Sequence, residues 1–132
     1  MLSSMSDQLI LIVGLPGSGK TTYLSGLNTQ NTLIFDDFNN LDELPLEIPT
    51  DKVMYVAAPN LCAHWQSALA FFSARYPVTL IRVIFFENDV ESAIHNVRGR
   101  DERLINEQYI RWLSSKYVIP PDVDIIPIVR KS

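Results

Sequence analysis

The residues with the most obvious chemistry lie in one stretch, "GLPGSGKTT" from Gly14 to Thr22, where three glycines and a proline precede a lysine and two threonines. Gly14, Gly17 and Gly19 permit positive φ and close backbone approach, so successive N–H groups can turn inward around an anion. A helix opening at Thr21 adds partial positive charge at the same place. The spacing G-x-x-x-x-G-K-[ST] is met without mismatch and follows an apolar run, "LILIV", the context in which this pattern is a phosphate-binding loop rather than a Gly-Pro turn. Leu15, Pro16 and Ser18 complete the loop. Lys20 is expected to reach the β- and γ-phosphates of a nucleotide, Thr21 to offer its hydroxyl to Mg²⁺, and Thr22 to reach an α-phosphate oxygen.

Two other groups could act on a bound phosphate. Asp36 and Asp37 directly follow the apolar run "TLIF", which aims at least one carboxylate from a strand's carboxyl end toward the phosphate site. Phosphoryl transfer to an alcohol needs a group that positions the hydroxyl and takes its proton. The competing reading is a helix cap or turn opening "DDFNNLDE". "NVRGRDER" places Arg98, Arg100 and Arg103 around Gly99 between two helical stretches, a spacing that suits an arginine-bearing lid over the transferring phosphate. A solvated turn of Arg–Asp/Glu pairs is the alternative, because Asp101 and Glu102 sit in the same run.

The elements that must position these groups alternate. Strand-length apolar runs fall at 9–13, 32–35, 52–57, 78–86 and 124–129, and helical spacing at Thr21 to Leu27, Leu61 to Arg75, Val90 to Val97 and Asn106 to Tyr117. Alternation of continuously apolar strands with helices predicts an α/β domain with a parallel sheet covered on both sides. Pro127 places the last strand at an edge. "LDELPLEIPTD", Leu41 to Asp51, reads as a surface loop.

The chain resembles the P-loop kinases, most nearly the compact polynucleotide-kinase-like and zeta-toxin-like phosphotransferases. The likeness rests on the phosphate loop, on "IFDDF", and on "AIHNVRGRDERLINEQYIRWL", and extends from Leu9 to about Tyr117. It implies a P-loop NTPase fold, three-layer α/β/α with a five-stranded parallel sheet in order 2-3-1-4-5. It also implies Asp36 as the base, Asp37 as a neighbour or Mg²⁺ partner, and Arg98 and Arg103, followed by Arg100, as lid arginines. The match departs from the family in three places. Ala57 and Ala58 stand where relatives carry the Walker B aspartate, although Asn60 follows as expected; Asn39 replaces an acceptor-gripping arginine; and His95 replaces an arginine before the lid asparagine.

Composition bounds the function. The 132 residues suffice for one domain, with residues 1–7 as a flexible leader. A net charge of −4 and a pI near 5.0 argue against binding to long nucleic acid. Cys62, the lone cysteine, excludes an intrachain disulfide and a multi-cysteine metal site, reads as a small core filler and suits a reducing cytoplasm. The apolar run at the first strand is far short of the about 20 residues that cross a bilayer. His64 and His95 read as structural, and Trp65, Phe71, Phe72 and Tyr76 as core-facing rather than as a base-stacking platform. The sequence therefore predicts a cytoplasmic ATP- and Mg²⁺-dependent phosphotransferase acting on a small molecule, a nucleoside or a nucleic-acid end. The alternative is a nucleotide-binding module with little transfer. A simple hydrolase lacks a residue singled out to orient water. No N-K-x-D motif reads guanine, which favours ATP.

Overall fold

A computed structural model describes residues 8–27, 29–36, 44–77, 79–98 and 107–130. Arg100, Arg103, Asp37 and Asn39, together with the leader, lie outside the described residues. The strands are β1 (Leu9–Val13), β2 (Thr32–Asp36), β3 (Val53–Ala57), β4 (Ile81–Phe86) and β5 (Ile125–Ile126); the helices are α1 (Lys20–Ser25), α2 (Leu61–Arg75), α3 (Val90–Arg98) and α4 (Glu107–Lys116). The five strands form one all-parallel sheet in the order β2-β3-β1-β4-β5, as expected. β1 is central, and all five of its residues are buried, which is why it reads as an unbroken run of Leu, Ile and Val.

The two faces of the sheet are covered very differently. Leu9, Leu11 and Val13, with Met54, Val56 and Phe85, pack under α2, α3 and α4 through Phe72, Ile94, Val97, Ile110 and Leu113. On the other face Ile10, Ile12, Ala57 and Phe86 meet Leu24 and Tyr23 of α1, which has six residues and is the one helix packed there among those described. Tyr55, Val53 and Ile84 stay partly exposed on that side, and Ile34 of the edge strand β2 is exposed. Covering by helices on both faces is thus realised unevenly, because a six-residue helix spans only about 9 Å.

Other differences have local causes. β5 is two residues rather than six, since Pro127 cannot donate to a ladder; beyond it the Ile128 N–H finds the Glu87 carboxylate instead, at 3.0 Å. The predicted surface loop at Leu41 to Asp51 is largely exposed where it is described, but it sends two side chains into the core. Leu44 and Ile48 are buried beside Phe72 and Tyr76, and the Tyr76 hydroxyl donates to the Pro45 carbonyl at 2.7 Å, while Leu46, Glu47 and Pro49 to Asp51 stay exposed. Phe71, expected in the core, is on the exposed side of α2, while Phe72 and Tyr76 are buried and Trp65 packs edge-on to Phe85 at 5.0 Å. No helix among the described residues is long and apolar enough to cross a membrane.

Candidate nucleotide-phosphate site

The chain leaves β1 at Val13 and turns through Gly14–Gly19 at the carboxyl end of the sheet. Gly17 has φ +85° and Gly19 φ +106°, conformations that L side chains rarely adopt. A Cβ on Gly17 would stand 2.3 Å from the Ala93 carbonyl oxygen, so α3 leans directly on the loop crest. A Cβ on Gly14 would meet Phe86 and the Ser18 hydroxyl. The loop from Gly14 to Ser18 is buried, and the Ser18 N–H closes a turn onto the Leu15 carbonyl at 3.0 Å.

Gly19 is the N-cap of α1 and supplies no side-chain cap, and no acidic residue occupies the first turn, so no side chain from within the helix neutralises its positive end. The Ser18 hydroxyl is buried and has no hydrogen-bond partner among the described residues. Lys20 folds back over the loop, its Nζ donating to the carbonyls of Gly14 at 2.6 Å and Leu15 at 3.1 Å. A buried ammonium held by carbonyls, beside an uncapped helix start and a Ser18 hydroxyl unpartnered among the described residues, makes a pocket suited to an anion.

Thr21 Oγ1 donates to Asp36 Oδ2 at 3.0 Å, across 15 positions of sequence. The sheet register explains the meeting. Asp36 pairs with Ala57, and Ala57 with Ile12, so Asp36 ends a cross-sheet row on the α1 side in which the residue between it and β1 carries only a methyl group. A larger side chain at Ala57, fully buried here, would stand in this path. Thr22 is exposed on α1. For Mg²⁺, Thr21 and Asp36 fit an ion that keeps most of its waters and takes one or two protein oxygens. No cluster of three or more His, Cys, Asp or Glu exists among the described residues, so a site built wholly from protein ligands is not offered there.

Arg98, the described member of the arginine set, ends α3 and pairs with Glu107 at the start of α4 at 2.7 Å, both side chains well exposed. Its guanidinium is thus engaged along the α3–α4 corner rather than on the loop. Arg111 and Glu91 make a second pair between the same helices at 2.9 Å. His64 is exposed, at a break in the helical backbone of α2.

Cys62, near the start of α2, is buried next to the loop, and burial pushes its thiol up to about 12, against the nearby Lys20 charge and a hydrogen bond from the Gly14 backbone, which lower it. It stays protonated and inert at ordinary pH. Burial also raises the Tyr117 phenol, whose hydroxyl donates to the carbonyls of Val13 at 3.1 Å and Phe86 at 2.5 Å, fastening α4's end to the strands from which the loop springs.

The asparagine that follows His95 makes contacts that the sequence reading did not anticipate. Asn96 is buried on α3, and its Nδ2 donates to Gly17 O at 2.9 Å and to Val129 O at 3.0 Å. The sequence held a signal for it: Asn96 falls on the buried face of α3, three positions after Ala93 and two after Ile94, where an asparagine must find partners.

No family model matches the chain. Over 106 residues it is 30% identical to "Uncharacterized protein R277" of Acanthamoeba polyphaga mimivirus, an alignment that covers 74% of this chain and 76% of the viral protein. The chain belongs to the family of that viral protein. The aligned share exceeds any single element, so the likeness is to most of the domain rather than to the phosphate loop by itself.

Proposed function

We propose that the chain binds a nucleoside triphosphate, most simply ATP with Mg²⁺, and transfers its γ-phosphate to a hydroxyl of a small molecule, a nucleoside or a nucleic-acid end. The observation that carries this reading is the closed loop at Gly14–Thr21, with Gly17 and Gly19 at positive φ and the Lys20 ammonium folded over it. In the bound state Lys20 exchanges its carbonyl partners for β- and γ-phosphate oxygens, and the loop and α1 amides hold the remaining oxygens. Mg²⁺ supplies charge neutralisation, and Thr21 with Asp36 would hold it.

Transfer forms a bond from the acceptor oxygen to the γ-phosphorus and breaks the one to the β–γ bridging oxygen, releasing ADP. Asp36, exposed at the mouth of the site, accepts the acceptor's proton. The acidic composition and Asn39 favour a small acceptor. Arg100 and Arg103 belong to this proposal as lid cations, and Arg98 joins them by leaving Glu107; Asp37 is a second carboxylate for the ion.

A second reading, a nucleotide-binding module with little transfer, is favoured by the end of β3. Ala57 and Ala58 are buried there and offer no carboxylate, and Asp36 already accepts a hydrogen bond from the Thr21 hydroxyl. Incubating γ-labelled ATP with pooled alcohols, nucleosides and 5′-hydroxyl oligonucleotides separates the two. An Asp36-dependent labelled product is expected for a phosphotransferase. Tight nucleotide binding with no labelled product would support the module instead.

A further inference from the structure

We propose that Asn96 is a positioning residue that ties the phosphate loop to the segment after β5, so that occupying the loop with a triphosphate orders Ile128–Arg130. The inference rests on the nucleotide-binding reading above, and it concerns how the loop keeps its shape and what senses its occupancy.

The amide of Asn96 spends its two N–H bonds on two backbone carbonyls 112 positions apart, Gly17 O at 2.9 Å and Val129 O at 3.0 Å. At the loop, the bond holds one side of the peptide unit joining Gly17 to Ser18. The opposite side is held by the Ser18 N–H on Leu15 O at 3.0 Å. In a trans peptide the carbonyl and the following N–H point in opposite directions, so this plane is pinned at both ends and cannot rotate without breaking both bonds. Gly17 at φ +85° has access to other backbone states, and Asn96 with Ala93 selects one of them. At its other end the amide holds a short segment that has left the sheet. Ile128 N bonds Glu87 Oε1 at 3.0 Å, and Arg130 Nε bonds Ser92 Oγ at 2.8 Å, a hydroxyl that itself donates to Asp89. These ties run to α3 and the end of β4, and Asn96 joins the segment to the loop through one side-chain amide. The bond to Gly17 is buried, so losing the donor strands that carbonyl, while the Val129 carbonyl, partly buried, loses its tie to α3.

The test uses the full chain, with Mg-ATP and inorganic tripolyphosphate as probes, the second lacking a base and sugar. Asn96→Leu keeps the branched outline and removes both donors; Ile94→Val lowers stability from the same helix without touching the amide. In the wild type, either probe is expected to slow hydrogen exchange at the Ile128–Arg130 amides. Asn96→Leu is expected to weaken both probes about tenfold, the size of one lost buried hydrogen bond, and to abolish that slowing, whereas Ile94→Val lowers the melting temperature and leaves affinity and slowing intact. Affinity within twofold of wild type with the slowing preserved in Asn96→Leu would overturn the proposal. So would a wild type that binds the probes with no change at Ile128–Arg130, a result that needs no variant to fold. A wild type that binds neither probe defeats the nucleotide reading itself, and this inference with it.

Discussion

The glycine loop and the end of β2 meet at the Thr21–Asp36 hydrogen bond, yet they are built by opposite means. The loop is held from every side: Lys20 on its own carbonyls, Asn96 and Ala93 on its crest, Phe86 behind Gly14, and Tyr117 at the roots of the strands on which it stands. Asp36 is exposed on an edge strand, with Thr21 as its side-chain partner in the site. Anion binding by backbone amides demands a fixed cage, since a loop that must first order itself spends the binding energy on that ordering. A carboxylate that serves an ion's water shell or an acceptor's proton needs reach and solvent, and an exposed strand end supplies both.

The contrast can be broken most severely at Lys20. Lys20→Ala removes a buried ammonium from the cage, and about a 100-fold loss of Mg-ATP affinity is expected, read as disappearance of the ATP-dependent rise in melting temperature. An unchanged shift in the variant would mean that the loop does not hold the phosphates. Gly17→Ala comes next. It adds a methyl group 2.3 Å from the Ala93 carbonyl at φ +85°, and urea unfolding should show a loss of about 1–3 kcal/mol from backbone strain, with nucleotide affinity falling as well. A variant as stable as wild type would show that the crest is not pinned.

At the other region the expected effect is smaller and selective. Asp36→Asn should cost about tenfold in Mg²⁺-dependent ATP affinity and leave Mg²⁺-free binding unchanged, as titration calorimetry with and without chelator can resolve. Equal losses in both conditions would place Asp36 in the cage rather than beside the ion.

The smallest effect concerns Cys62 beneath the loop. Burial raises its thiol from 9.0 to about 12, so above pH 9 the unfolded chain releases a proton that the folded chain retains. The associated stability is complete below pH 9 and is lost as pH rises toward 12. Urea midpoints at pH 7.5 and 10.5 should fall more for wild type than for Cys62→Ala, and parallel falls would remove Cys62 from the pinned region.

Much of this arrangement was legible in the order of residues. The glycine loop lies at Gly14–Thr21 because its pattern is local: glycines where the backbone turns, then lysine and threonine at the start of a helix. The five strands and four long apolar periodicities follow for the same reason, and α2 runs from Leu61 to Arg75 as its spacing predicts. Errors collect where a neighbour decides. Whether Ile34 is buried depends on what lies over an edge strand, and whether Leu44 and Ile48 reach the core depends on Tyr76 and Arg75 catching the carbonyls of Leu44 and Pro45.

The sequence by itself determined where the cage lies, because residues three to seven positions apart are bound to be neighbours in a turn. Only the tertiary structure decided what the cage rests on and faces. Asp36 meets Thr21 because parallel register sets it in one row with Ala57, and Asn96 reaches Gly17, 79 positions away, because α3 crosses the loop. Such contacts depend on chain paths that no local pattern encodes, and packing at the sheet's carboxyl end is what brings them together.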